Sequence, residues 1–247
     1  MLHLRKTLLA AACLMAVSSA AHSDTFAGFK VGGDYWHSDA SGYFADDSGA
    51  KVNSDLDADA QGSLWFAVEH MLPFVPNLKI RENRVSATSS LDNADFNFNG
   101  HGFSGKVGID NKLNNTDFVL YYELLDSDLA ELDVGGAYKM MNGSLRVSDA
   151  GYPEQIDIDS GIAMGYASGQ VGVPGMGLYA FAELLHGVSE SNVHDYSVGL
   201  GWVFDGLVVD TKVRVGYRDM SFDVSRFSGM TQDTQLSGVF AGVELDF

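Results

Sequence analysis

GVFAGVELDF, residues 238–247, ends the chain and decides its fold. Val239, Ala241, Val243, Leu245 and Phe247 are apolar, with Glu244 and Asp246 between them. Apolar residues at every second position place one stripe on one face of a β-strand and the charges on the other. Soluble domains usually trail off in a few polar residues. Here an apolar environment must receive the stripe up to its last residue.

The opposite end narrows what that environment is. Arg5 and Lys6 precede the apolar run TLLAAACLMAVSSA, and small residues lead through Ala21-His22-Ser23 to Asp24. A basic start, a short apolar run and a small-residue boundary predict a secretory signal peptide over 1–23, with Ala21 as the rival cleavage point. A membrane helix needs about 20 apolar residues, and this run falls short. Its single cysteine, Cys13, lies inside the run, so the exported chain at 24–247 is not a disulfide-stapled domain.

Cleavage removes Arg5 and Lys6 and no acid, taking the net charge of −18 to −20 (−18 − 2). A chain this acidic has no basic footprint for nucleic acid. The 28 glycines and 4 prolines are scattered through strand-like text, so no linker divides it and one domain is expected.

Period-two segments recur at 26–36, 62–70, 78–89, 116–125, 129–140, 157–170, 176–187, 193–204, 208–222 and 235–247. Each is near the roughly 9–11 residues a tilted strand needs to cross a bilayer. Arg81, Glu82 and Arg84 interrupt the alternation in 78–89, and 94–109 has room for a further strand. The connections sort by parity. Those at 37–61, 90–115 and 141–156 are long; those at 71–77, 126–128 and 171–175 are short and carry turn residues. The rest are 188–192, 205–207 and 223–234. Long loops on one rim and tight turns on the other predict an all-β fold, a transmembrane antiparallel β-barrel of about ten strands (roughly eight to twelve) with periplasmic termini.

Charge placement then assigns the faces. A Lys or Arg in lipid costs about 2–4 kcal/mol at the bilayer midplane. The apolar stripe therefore faces lipid, and the lumen receives Lys30, Asp34, Glu69, Glu123, Asp133, Lys139, Asp157, Asp159, Glu183, Asp210, Lys212, Arg214, Arg218, Glu244 and Asp246. Side chains nearly fill an eight-stranded barrel, so this lumen should be narrow, ion-paired and partly wet. Phe29, Trp202, Phe204 and Phe247 should mark the periplasmic interface; Tyr35, Phe118, Tyr196 and Tyr217 mark the outer one.

AGFKVGGDYW at 27–36, TDFVLYYELLD at 116–126, LDVGGAYK at 132–139 and the LPF and GL turns resemble a family of Gram-negative outer-membrane β-barrel proteins of about this length that end in phenylalanine. The resemblance covers the exported chain. It implies that Val239, Ala241, Val243, Leu245 and Phe247 form the signal read by the barrel assembly machinery, with Leu245 where an aromatic is usual. It supplies no catalytic residue.

The residues themselves offer little chemistry. Asp55, Asp57 and Asp59 copy the start of a calcium loop, yet Ala60 and Phe66 stand where its Gly and bidentate Glu belong. Together with Asp39, Asp46 and Asp47 they form an acidic loop able to bridge divalent cations to lipopolysaccharide phosphates. His194 and Asp195 are adjacent, and strand neighbours point to opposite faces. His186 shares the lipid-facing parity of His194, His37 and His101 lie in loops, and His70 is at a periplasmic turn. No G-x-S-x-G occurs near Ser189 or Ser191. The expectation is a monomeric barrel among outer-membrane lipid and lipopolysaccharide, without cofactor. It would be structural or surface-facing, or a narrow solute conduit; an outer-membrane hydrolase, protease or lipid-modifying, is the alternative.

Overall fold

A computed structural model of the chain describes residues 27–46, 51–58, 61–72, 74–127 and 129–247; the expected signal peptide lies outside them. The described residues form strands and turns, with no helix. Ten strands make the barrel wall: β1 (Ala27–Asp46), β3 (Gln61–His70), β4 (Asn77–Arg84), β7 (Asn115–Ser127), β8 (Ala130–Met141), β11 (Gly161–Gly172), β12 (Leu178–Gly187), β13 (His194–Phe204), β14 (Asp210–Phe227) and β15 (Met230–Asp246). Each pairs antiparallel with the next, and β15 returns to β1 to close the ring. Closure removes every exposed edge within the membrane.

The paired residues Phe29, Val68, Leu78, Leu120, Gly136, Gly165, His186, His194, Ser221 and Gln235 trace one circuit and regain β1 at Ser41, 12 residues (41 − 29) above the start. That stagger over ten strands corresponds to a tilt of about 40°. Outside, Leu64, Leu120, Val134, Leu184, Val198, Leu200, Val215, Val239 and Val243 are exposed as an apolar belt. Trp202, Phe204 and Phe247 are exposed at the end that carries the termini, and Tyr35, Tyr138 and Tyr217 are exposed higher on the wall. The last strand behaves as the closing alternation requires, with Val243 and Leu245 exposed and Glu244 buried.

The long connections are not loops. They fold into β2 (Val52–Ala58), β5 (Ser86–Phe98), β6 (His101–Lys112), β9 (Gly143–Ser148) and β10 (Pro153–Ile158). These join edge to edge in the order β10-β9-β6-β5-β2 and continue onto the upper part of β1. β1, β14 and β15, at 20, 18 and 17 residues, exceed the roughly 9–11 that cross the membrane, and their upper halves supply the other side of this cap. Phe44, Phe98, Phe103, Val107, Ile109, Leu145, Val147, Phe222, Val224 and Leu236 bury together as its core. Phe44 meets Phe98 edge-on at 5.6 Å, and Asn111 Nδ2 donates to Thr234 Oγ1 at 3.1 Å across the two walls.

Two hairpins shape the cap. Asn99 and Gly100, at φ 50° and 79°, turn β5 into β6; Ser228 and Gly229, at 51° and 81°, turn β14 into β15. Positive φ at both central residues is the type I′ geometry that matches strand twist. The cap corrects two expectations. Asp157 and Asp159 do not enter the lumen: the segment expected as one strand over 157–170 is the end of β10 plus β11, and both aspartates are exposed on the cap. Likewise 78–89 divides at Val85 into β4 below and β5 above.

Candidate functional site

Inward positions of the barrel build two layers. In the upper layer Arg218 holds Asp195 through both carboxylate oxygens, at 2.8 and 2.7 Å. Lys139 Nζ lies 2.7 Å from Asp117 Oδ1 and 3.6 Å from Asp195 Oδ2. Arg81 bridges Glu183, Asp117 (3.2 Å) and Asp195 (3.7 Å), while Lys79 shares the Glu183 carboxylate. Asn83 and Asn115 fill the remaining bonds: Asn83 Nδ2 donates to Asp117 Oδ2 at 2.9 Å, and Lys139 donates to Asn115 Oδ1 at 2.9 Å. Arg214 pairs with Asp34 through two bonds, at 3.0 and 2.7 Å. Lys139, Asp117, Asn83 and Asn115 have no exposed surface.

Five cations and four carboxylates thus cross the lumen, each tied to at least one of the others. Aromatic faces complete the packing. Trp36 lies under the Arg218 guanidinium at 4.9 Å, and Trp65 lies 4.9 Å from Lys79 and 5.6 Å from Arg214. Buried charges tolerate such a place only when paired and hydrogen-bonded. The result is a plug, and above it sits the apolar cap core.

Below the plug the lumen widens into a cavity of about 80 Å³. Its lining includes Lys30, Glu69, Tyr121, Glu131, Asp133, Tyr166, Tyr179, Lys212 and Glu244, near the strand ends on the side of the termini. Lys30 pairs with Glu69 at 2.7 Å, and Tyr121 donates its hydroxyl to Glu69 at 2.7 Å. Lys212 lies 3.1 Å from Glu244 and 3.6 Å from Asp246.

The lumen residues read from sequence therefore divide. Lys139, Glu183, Arg214, Arg218 and Asp34 belong to the plug; Lys30, Asp133, Lys212 and Glu244 line the lower chamber, and Glu123 is exposed outside its lining. Asp210 does neither, since its carboxylate accepts the Gly206 amide at 2.9 Å and caps the preceding turn. Lys79, Arg81, Asp117 and Asp195 are central to the plug and stand outside the set expected from the sequence. The signal was present in NLKIRENR, where Leu78 and Ile80 leave Lys79, Arg81 and Asn83 on the inward parity.

Of the acidic-loop residues, Asp57 is exposed on β2 opposite Thr88; the Asp55 side chain and Asp59 lie outside the described residues. No group of three or more metal-capable side chains occurs among the described residues. His194 Nε2 reaches Asp219 Oδ1 at 2.6 Å and its ring stacks on Tyr196 at 4.5 Å, while His186 Nδ1 meets the Tyr196 hydroxyl at 2.6 Å. This cluster stands on the outer wall, on the parity opposite to Asp195. His101 stacks on Tyr152 at 4.2 Å and contacts Glu154 at 3.2 Å on the cap. His37 is part of β1, not of a loop.

No protein-family model and no curated protein matches the sequence. Among solved structures, the chain is similar to the attachment invasion locus protein Ail of Yersinia pestis, with 10% identity and a TM-score of 0.34, over 89% of this chain and 98% of that one. It is also similar to the translocator domain of the autotransporter NalP from Neisseria meningitidis, with 12% identity and a TM-score of 0.41, over 97% and 95%. A FadL homologue of Pseudomonas aeruginosa matches at 8% identity and a TM-score of 0.34, over 93% and 91%. Likeness at this level says nothing about function, and the class rests on the barrel itself. A closed ring of ten tilted strands, apolar and aromatic outside and charged within, gives the chain the architecture of an outer-membrane-type transmembrane β-barrel.

Proposed function

We propose that this barrel is non-conducting and that its role is carried by the extracellular cap, which it holds at the cell surface. The observation that supports this reading is the fully buried cluster of Lys139, Asp117, Asn83 and Asn115 on β4, β7 and β8, joined across the lumen to Asp195 and Arg218 on β13 and β14, with the cap's apolar core stacked above it. An ion would have to break several charge-assisted hydrogen bonds to pass. The cap surface is acidic, with Asp39, Asp57, Asp92, Asp95, Asp157 and Asp159 exposed. Divalent cations can join such a surface to lipopolysaccharide phosphates, while the belt contacts lipid and the last strand serves assembly. The barrel works as a monomer on this reading, because its ring is closed without a second copy. Single-channel recording on the refolded chain tests the proposal: a silent bilayer is expected, and stable ohmic conductance steps would refute it.

A further inference from the structure

The lower chamber does something the plug does not: it holds carboxylates outside any ion pair. Every cation in its lining is already matched, Lys30 with Glu69, Lys212 with Glu244, Lys79 with Glu183, and Arg214 with Asp34. On the β7–β8–β11 wall the balance fails. Glu131 accepts the neutral Gln170 amide at 3.2 Å, and among the described residues neither Glu131 nor Asp133 has a cation within ion-pair distance, Lys212 and Lys30 acting on them only from further away. Asp133 also sits directly opposite Glu123 in the β7–β8 ladder.

One step deeper in the same wall, Tyr121, Gly135 and Tyr166 are register partners on three adjacent strands. The two tyrosine rings lie 5.7 Å apart, and Gly135 between them contributes no side chain. Tyr179 and Phe181 line the chamber from the next strand. Carboxylates and aromatic rings lining one cavity form a receptor for positive charge on a carbon framework: the rings' quadrupoles attract the cation and its attached carbons, and the carboxylates neutralise it. A hard metal ion would use the carboxylates and gain nothing from the rings.

We propose that this chamber is a periplasm-facing binding site for a small organic cation, an amine or quaternary ammonium, seated against Asp133 and Glu131 and covered by Tyr121 and Tyr166. The inference goes beyond surface display. Because the plug closes the chamber above, the ligand enters and leaves by the periplasmic rim.

Calorimetric titration of the refolded, full-length exported chain with putrescine, tetramethylammonium and 1,4-butanediol tests it. Saturable binding of both cations and none of the diol is expected, weakening as salt rises. Asp133→Asn combined with Glu131→Gln should weaken binding at least tenfold, and Asp157→Asn on the cap should leave it unchanged. If the double variant fails the heat-mobility test of a folded barrel, Glu131→Gln alone should still weaken binding several-fold. The proposal is overturned if the unmodified barrel binds neither cation, if binding survives loss of both carboxylates, or if equimolar Mg²⁺ displaces the amines completely. Channel recording is a separate readout: conductance would remove the closed-barrel reading and leave the titration result standing.

Discussion

Replacing Lys139 by methionine tests whether the plug is held by buried ion pairing. Methionine keeps most of the side chain's length and its apolar stem while removing the ammonium. The loss falls unevenly. Asp195 keeps both bonds from Arg218, and Asn115 Oδ1 keeps the bond from Asn83 at 2.9 Å. Asp117 keeps Arg81 and Asn83 on Oδ2, but Oδ1 loses the ammonium that lay 2.7 Å away. One buried carboxylate oxygen is left without its cation, so the cost belongs at the lower end of the range for a broken buried pair, about 3 kcal/mol. That is about a 150-fold fall in the folded-to-unfolded ratio. Urea unfolding in phospholipid vesicles, followed by tryptophan fluorescence, reads it directly, since Trp36 packs against the plug at Arg218. Lys106→Met is the control, because Lys106 is an exposed cap residue 4.0 Å from Asp92 and its pair contributes at most about 1 kcal/mol. Adding Asp117→Asn to Lys139→Met neutralises the stranded charge and should recover part of the loss. A shift for Lys139→Met no larger than that for Lys106→Met, or a deeper loss on adding the second substitution, would show that buried ion pairing does not hold the plug.

Three further outcomes follow from the same geometry. Phe103→Ala empties a buried site in the cap core at a cost of about 3–5 kcal/mol; limited proteolysis should then cut within 85–114 while the barrel keeps its folded gel mobility. Asp233, opposite Asp223 on the cap, has its carboxyl pushed up by burial, then by the Asp223 charge, against a weaker opposing pull from Lys51. Its folded-state pKa is thus above the unfolded one, so cap stability falls as pH rises through that raised value, and Asp233→Asn should stabilise the cap at neutral pH by roughly 0.2–1 kcal/mol, measured by thermal unfolding. Gly135→Val should prevent barrel formation altogether, since a Cβ there collides with the Leu120 carbonyl; recovery of a folded, heat-shifted band would contradict it.

The barrel was legible because lipid imposes a strict period. Val213, Val215 and Tyr217 could only face out if Lys212, Arg214 and Arg218 faced in, and any slip by one residue would expose the charges. The cap obeys no such rule. In β5 the buried positions are Ala87, Ala94 and Phe98, and the register shift between Leu91 and Ala94 moves the inward parity from odd to even. Between them stand Asp, Asn and Ser residues in water, so the segment reads as loop. Asn99-Gly100 is nonetheless the dipeptide a type I′ hairpin favours, and it joins β5 to β6. The plug was half legible for a different reason. Parity places each side chain in the lumen, yet which inward charges meet depends on the stagger of 12 residues that closure alone reveals. Lys79 and Glu183, on β4 and β12, are not neighbours in any ladder.

The two lumen layers differ in what the fold requires of them. An entirely apolar interior would leave strands apolar on both faces and weaken the register that separates lipid from lumen, so an inward polar layer specifies the ring, and the plug supplies it with matched charges. The lower chamber adds nothing to that specification. Glu123 and Asp133 are directly opposed carboxylates, an arrangement that destabilises a sheet by roughly 0.2–1 kcal/mol, and asparagine or glutamine would keep the inward polarity without the repulsion. Asp133→Asn should therefore raise the urea midpoint of the empty barrel while it weakens binding of an organic cation. A substitution that gains stability as it loses ligand marks a residue retained for binding. If Asp133→Asn instead lowers the midpoint, the carboxylate is structural and the chamber belongs with the plug.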